Sequence, residues 1–421
     1  DAEGNFSISV PSAAKDLVIT FVGFETQTIP INNQTAINAT LQLSNSKLNE
    51  VVVVGYGTQK RQDLTGAISS INAGTIAKAP VTSLDQALQG RAAGVQVTNN
   101  DGSPGGNINV LIRGTGSLAS GGNSPLYVVD GYPLEAGGIN NINPSDIATI
   151  DILKDASATA IYGIRAANGV VIITTKKGSK SGAQISIDAY DALQSKPKEY
   201  KVLNADQFAT LANNVAANSN GTFQSFDAWA NPSSLHNVDW QNALYRSGLT
   251  QNYNIAIRGG SEKVQTASSV GYYGQKGIVQ GAYFNRLTAA TNVDYHPVKW
   301  LKSSTSIKYS HQDQNVPFGG SGSNNLLSLS ALPPTLDSGN NKTTQIKDAN
   351  GNYGFFNPIY VYVAKYSNPL YGIETNRYQN LNNFFLISSS LEATIFDGLK
   401  IKTNAGIDYS GYNGYYFAPE D

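Results

Sequence analysis

The chain has 421 residues, room for about two to four domains and a sizeable core, and its 29 Lys and Arg against 30 Asp and Glu leave a formal net charge of −1. That balance excludes a global pull towards nucleic acid or an anionic membrane surface, and zero Cys excludes disulfides, thiolate metal sites and cysteine nucleophiles. Only 14% of residues are charged, Gly reaches 41, and Tyr (23) exceeds Phe (14), a composition suited to a β-rich, loop-rich protein with amphipathic aromatic bands.

There is no Met, so the chain reads as processed or as a fragment. No apolar run approaches the ~18 residues of a membrane helix, whereas alternating membrane β-strands give no hydropathy peak and stay open. Residues 1–43 read as short strands at 5–10, 17–21, 26–31 and 36–43, separated by turn signals at Gly4, Pro11, Gly23 and Asn32–Asn33. They suit the end of a small β-sandwich whose earlier strands precede this chain. A polar stretch, 44–49, then leads into LNEVVVVGYGTQ (residues 48–59). Four valines restricted at χ1 favour an extended backbone, and the glycines behind them break regular pairing. Two readings fit: a short buried strand, or an exposed strand-forming peptide that pairs with a partner's sheet.

From residue 63 to 179 the pattern is mixed α/β. Ser83 with Gln86 forms a capping box that opens a helix through Leu84, Ala87 and Leu88, ending near Gly90. Strands are expected at 94–98, 107–113, 126–129 and 149–153, a helical turn at 144–146, and an Ala-rich helix at 155–162 that Gly163 and Asn168–Gly169 end. A last strand, 170–176, finishes in a basic turn.

Beyond Ala183 the alternation lengthens: Tyr253, Ile255 and Ile257 share one face, with Asn252, Asn254 and Arg258 on the other. Seven such strands are expected, at 183–193, 250–259, 263–275, 283–295, 300–312, 381–395 and 399–412. Tight turns at 259–262, 296–299 and 396–398 alternate with very long connections at 195–249 and 313–380. Short turns on one side and long loops on the other match a transmembrane β-barrel, and Tyr272, Tyr273, Phe284, Tyr295, Trp300 and Tyr309 fit its aromatic girdles. Seven strands do not close such a barrel, so further strands are expected beyond residue 421.

The runs LQGRAAGVQV (88–97), INVLIRGTGSL (108–118), PLYVVDGYPL (125–134) and DILKDASATAIYGIRAANGVVIITTKKG (151–178) resemble the plug domain of the SusC/RagA-like TonB-dependent outer-membrane transporters. The segment from Gly259 to Tyr295 is similar to that family's early barrel strands, and 1–43 resembles its carboxypeptidase-regulatory-like extension. Ile164 departs from the small polar residue that the family more often carries there. The resemblance implies a mainly β fold with an α+β plug: the end of a β-sandwich (1–43), a linker with a TonB box (44–62), the plug (63–180) and the first part of a transmembrane antiparallel β-barrel with two long extracellular loops (181–421). It further implies that Glu50, Val51, Val52, Val53, Val54, Gly55 and Tyr56 form the TonB-binding strand. TonB with its ExbB–ExbD motor, a SusD-like surface lipoprotein and outer-membrane lipid are the implied partners, in the outer membrane of a Gram-negative, Bacteroidota-type cell. The implied cargo is an oligosaccharide first and a peptide second. A surface adhesion protein without transport is the alternative from another class.

No catalytic constellation emerges. His236, His296 and His311 are far apart, Gly114–Thr115–Gly116 lacks the third glycine of a dinucleotide fingerprint, and residues 348–352 resemble a calcium loop with a misplaced glycine and no closing Glu. The reading is therefore of a non-enzyme with no cofactor and no metal. Arg113, Asp130, Asp151 and Arg165 sit in or beside apolar plug elements, where burial requires pairing; they are expected to form an ion-pair network that holds the plug yet releases under force. Substrate contacts are sought in the polar loops, at Asn99, Asn100, Asp101, Ser117, Asn123 and Tyr132, with the Tyr-rich segment 355–371 as a surface for sugars or a lid protein.

Overall fold

The structure is a computed structural model that describes residues 7–11, 14, 16–19, 27–31, 34, 36–41, 51–54, 57–60, 68–77, 83–99, 102–106, 108–119, 122–134, 138–180, 182–196, 198–220, 230–235, 237–317, 334, 346–347, 353–354, 373, 377–396 and 398–417. Near the N-terminus β1 (Asp16–Ile19) and β2 (Gln27–Pro30) pair antiparallel. Residues 7–10 and 36–41, expected as strands, carry none. The valine run is β3 (Val51–Val54), and it is not isolated: β4 (Gly57–Lys60) pairs with it antiparallel from Val54↔Gly57 to Val51↔Lys60.

The plug runs from β5 (Ile68–Asn72) through α1 (Ala73–Ala77), α2 (Leu84–Leu88), β6 (Val95–Asn99), β7 (Ile108–Ile112), β8 (Leu126–Val129), β9 (Tyr132–Pro133), β10 (Ile147–Leu153) and α3 (Ala156–Thr159) to β11 (Val170–Thr175). Five of its strands form one sheet in the order β5-β10-β11-β8-β9, parallel only between β11 and β8, and β6 pairs with β7 apart from it. Along β11 successive side chains enter different cores. Val171 and Ile173 join α2, Val110, Ile112, Ile150 and Ile152 on one face, while Val170 and Ile172 join Leu126, Val128, Leu153 and Ala166 on the other. Burial on both faces explains why that strand is an unbroken apolar run, each side chain contributing about 1.5–3 kcal/mol. Ser83 caps α2, its side chain accepting from the Gln86 amide at 3.3 Å.

The rest is a single antiparallel sheet in sequence order: β12 (Gln184–Gln194), then, after α4 (Ala205–Asn218) and α5 (Trp240–Leu244), β13 (Gly248–Gly260), β14 (Val264–Lys276), β15 (Tyr283–Val298) and β16 (Leu301–Asn315). A small pair, β17 (Ile346–Lys347) with β18 (Tyr353–Gly354), precedes its last strands, β19 (Arg377–Phe396) and β20 (Leu399–Phe417). All seven expected strands are present, several of them longer. The turn expected at 296–299 is displaced: β15 continues through a register shift to Val298, opposite Leu301, so the chain reverses at Lys299–Trp300.

One face of this sheet is apolar and exposed, with Ile185, Ile187, Ile255, Ile257, Val270, Leu287, Ile307, Leu391, Ile401 and Ile407 among its residues. Tyr309, Phe385 and Tyr409 lie side by side on it across three strands, and Tyr253 stacks on Tyr272 at 6.5 Å. Tyr295 and Trp300 mark the turn end. Eight residue steps of β16 separate the Tyr309 row from Leu301, about 27 Å of strand, which at the tilt of a membrane barrel spans about 20 Å of its ~25 Å apolar band. The opposite, inward face is polar and carries the plug.

Candidate functional site

The plug meets the inward face mainly through residues 130–146. Asp130 and Gly131 turn β8 into β9 with φ of 50° and 88°, the left-handed backbone of a tight hairpin. The Asp130 carboxylate accepts from the Thr175 amide (2.9 Å), the Thr175 hydroxyl (2.7 Å) and Lys308 Nζ of β16 (2.7 Å). The Asp130 and Lys308 side chains are only 8% and 5% exposed. Burial alone would raise the Asp130 pKa; the Lys308 charge and the hydrogen bonds outweigh it and hold the carboxyl below its ordinary range. Tyr132 then donates to Asp408 of β20 at 2.7 Å, its ring lying over Gly406, where an added Cβ would sit 2.5 Å from Cδ2.

Further along, the Asn140 carbonyl accepts from Arg286 (2.8 Å) and Gln312 (3.1 Å). Asn141 Oδ1 accepts from Gln312 and Asn382, at 3.0 and 3.3 Å. Asn143 donates through Nδ2 to Asn254 (3.0 Å) and Thr288 (3.2 Å), while its Oδ1 caps the turn at Pro144 by accepting from the Ser145 amide. Gly271 leaves room for it. Two wall residues on the inward face are apolar and fully buried, Phe384 and Leu386, and they complete the plug core beside Leu134 and Ile139.

On the side of the long connections, a cavity of about 180 Å³ opens between plug and wall. Its wall is a row set by register: Arg286 opposite Gln312, Gln312 opposite Asn382, Asn382 opposite Tyr412, with Phe284 opposite Gln314 and Gln314 opposite Asn380 one step along. Ser83, Gly105, Gly106 and Asn140 of the plug face it. Arg286 is 4% exposed, anchored on Asn140 and set over the Tyr273 ring at 5.7 Å. Carboxamides both donate and accept, so this row suits an uncharged polar ligand rich in hydroxyl or amide groups.

The described residues picked out from sequence as site candidates do not line this cavity. Glu50, Gly55, Tyr56, Asn100, Asp101, His236 and the segments 348–352 and 355–371 fall outside the described residues. Asn99 Oδ1 accepts from the Gly102 amide, and Asn123 accepts from the amides of Gly116 and Ser117 and donates to the Ser117 carbonyl, so both side chains hold their own loops. Tyr132 is a docking contact. Of the four expected plug ion-pair residues, Asp151 (3% exposed) is buried, accepting from Ser70 Oγ, and Asp130 pairs with the wall. Burial does not extend to the arginines. Arg113 pairs with Asp155 with its side chain 53% exposed, and the exposed Arg165 donates to the Leu134 carbonyl at 3.2 Å. The amide row was missed, although Gln312 with Gln314 and Asn380 with Asn382 show an i, i+2 amide repeat inside membrane-length strands.

A sequence profile described as TonB-dependent Receptor Plug Domain matches residues 60–170. TonB-dependent receptor P26 of Formosa agariphila is 36% identical over 390 residues, covering 92% of this chain and 37% of that protein. TonB-dependent receptor SusC of Bacteroides thetaiotaomicron is 33% identical over 410 residues, covering 91% and 39%. The solved RagAB peptide importer in its open-open state superposes with a TM-score of 0.70 at 26% identity, covering 86% of this chain and 42% of that one. The chain thus spans under two-fifths of the length of these curated relatives.

Proposed function

This chain belongs to the SusC/RagA-like TonB-dependent receptors, and on that premise we propose that its protein imports a polar nutrient across the outer membrane, driven by TonB. One observation carries the reading: a folded plug whose hydrophobic core is completed by Phe384 and Leu386 on the inward face of a membrane-type sheet. A body so placed obstructs the lumen until it is moved. Solute arrives from the long-loop side and is held against the amide row by Arg286, Gln312, Gln314, Asn380 and Asn382. The row's matched donors and acceptors suit an oligosaccharide first and a peptide second; RagAB, a structural relative, is described as a peptide importer.

TonB, with its ExbB–ExbD motor, pulls on residues 50–57 after adding a strand to β3. Among the described residues β3 pairs with β4 alone, over four positions, so a partner strand would add at its other edge and extend the pair. A SusD-like surface lipoprotein covers the long-loop side, the outer leaflet surrounds the apolar face, and the protein catalyses no reaction. Val52→Pro in the full-length receptor removes one ladder N–H. Energised uptake is expected to be lost while resting solute binding persists; uptake at the wild-type rate defeats the assignment of the pulled strand.

A further inference from the structure

On the turn side of the wall, below the Asp130–Gly131 turn, lies a second and larger cavity, about 400 Å³, bounded by β15, β16, β19, β20 and the plug. Its chemistry is unlike that of the amide row. Ser304 stands opposite Ser390 and Ser306 opposite Ser388, so hydroxyls line the strands that enclose it. Lys302, Lys400 and Lys402 from the strands and Lys177 from the end of the plug line it as well.

Carboxylates are fewer than ammonium groups. Asp294 takes Lys302 at 2.9 Å, Glu392 takes Lys400 at 2.9 Å, and Asp130 takes Lys308 at 2.7 Å. Among the described residues, Lys177 and Lys402 have no carboxylate at ion-pair distance, which leaves two cations beside a hydroxyl-lined space. A concave, partly enclosed surface with an excess of positive charge concentrates anions. Ammonium and hydroxyl groups together offer the converging donors that an oxyanion accepts.

We propose that this turn-side chamber is an oxyanion site that takes a carboxylate, sulfate or phosphate group of the solute after it has passed the plug, and hence that the cargo is acidic. The step from site to cargo rests on the import reading above. The two cavities divide the work: the amide row holds the uncharged part of the solute before release, and the lysines draw its charged group towards the periplasm.

The test uses the purified, de-energised full-length receptor and two sugars of matched size, glucuronate and glucose, with inorganic phosphate as a third probe, in titration calorimetry. Saturable glucuronate binding is expected, weakened about tenfold or more in Lys177→Gln/Lys402→Gln, kept in Lys402→Arg, and with no lysine-dependent binding of glucose. Heat-dependent gel migration reports that each variant keeps its barrel. Equal glucuronate affinity in wild type and double variant overturns the proposal, as does lysine-dependent glucose binding. Phosphate binding without glucuronate binding overturns it too, since that outcome marks a site for free anions only. No energy source is present, so each of these failures leaves the import reading standing; that reading falls instead if energised cells carrying the wild-type receptor take up no solute.

Discussion

Two stretches of the plug, residues 68–99 and 130–146, both contribute side chains to its buried core, yet they answer to different neighbours. The first is fixed from within: Ser70 donates to Asp151, Lys154 reaches Ser69 and the Ala93 carbonyl, and Tyr127 donates to Asp85 at 2.6 Å. The second is fixed to the wall, through Lys308, Asp408, Arg286, Gln312, Asn254 and Thr288. Its position in the chain gives this contrast a mechanical meaning. β5 lies at the edge of the plug sheet, and under the proposed pull on β3 its ladder with β10, five positions long, and the side-chain bonds of Ser69 and Ser70 yield before the chain behind it moves. The anchored segment comes later in the chain and, under the same proposal, is released last, so that the plug would open at β5 before it leaves the wall.

Lys308→Ala is the strongest way to break that contrast. It strands Asp130 in a buried site, a change that costs about 3–5 kcal/mol when one member of a buried pair is removed. Hydrogen exchange on the full-length receptor is expected to show residues 126–146 losing protection while 68–99 keep theirs. Equal loss in both stretches would mean that the plug is a single cooperative unit.

Acid should separate the two stretches in opposite directions. Burial raises Asp85 to about 6, more than its Tyr127 hydrogen bond lowers it. A raised folded pKa means stability that is fully present below about pH 4 and lost as pH rises through about 6, a swing of about 3 kcal/mol at most. Asp130 has the reverse sign: its pKa is lowered, so its contribution holds above the ordinary carboxylate range and disappears as pH falls below it. Mild acid therefore tightens 68–99, and stronger acid loosens 130–146. Limited proteolysis across pH 3 to 7 reads both, and Asp85→Asn is expected to flatten the first response and stabilise the plug at neutral pH.

A smaller effect tests the fit of the anchored stretch alone. Gly406→Ala places a Cβ against the Tyr132 ring and 3.0 Å from the Ile387 carbonyl, an overpacking that costs about 1–3 kcal/mol. The Tyr132–Asp408 hydrogen bond is expected to lengthen, with lost protection confined to β9 and its neighbours. Tyr132→Phe/Gly406→Ala should add little to the single change if the bond is already gone.

The wall was legible in sequence because its outward face must be apolar while its inward face stays polar, and that alternation survives over membrane-length strands such as Tyr253–Asn254–Ile255. β11 was legible for another reason, burial on both faces. β5 was not. Its centre is Ser69–Ser70, polar because those hydroxyls meet Lys154 and Asp151 inside the plug, and such pairing leaves no trace in periodicity. α4 was missed in the long connection although Asn204 and Gln207 spell a reciprocal capping box. The amide row stayed hidden because it exists only through the stagger between β15, β16, β19 and β20, which brings Arg286, Gln312 and Asn382 level. Polar loop residues drew attention first, and Asn123 shows why they misled: its amide is consumed by the loop that presents it.

Arg113 gives the smallest expected effect and the sharpest control. It closes β7 in left-handed backbone, φ 61°, and pairs with Asp155, both residues belonging to the plug. With the Arg113 side chain 53% exposed, the pair is screened by salt and contributes at most about 1 kcal/mol. Left-handed backbone costs a non-glycine residue about 1–2 kcal/mol. Arg113→Ala loses the pair and keeps the strain, whereas Arg113→Gly loses the pair and relieves it, so the glycine variant is expected to match or exceed wild-type stability. Neither change touches Lys308, Asp408 or Phe384. In single-molecule pulling from the pulled strand, both variants should therefore yield the wild-type force at the step that frees residues 130–146 from the wall, and differ only at the earlier step. A lower force at the later step in Arg113→Ala would show that the anchored segment is held through the plug interior as well, and the two stretches would then share one network.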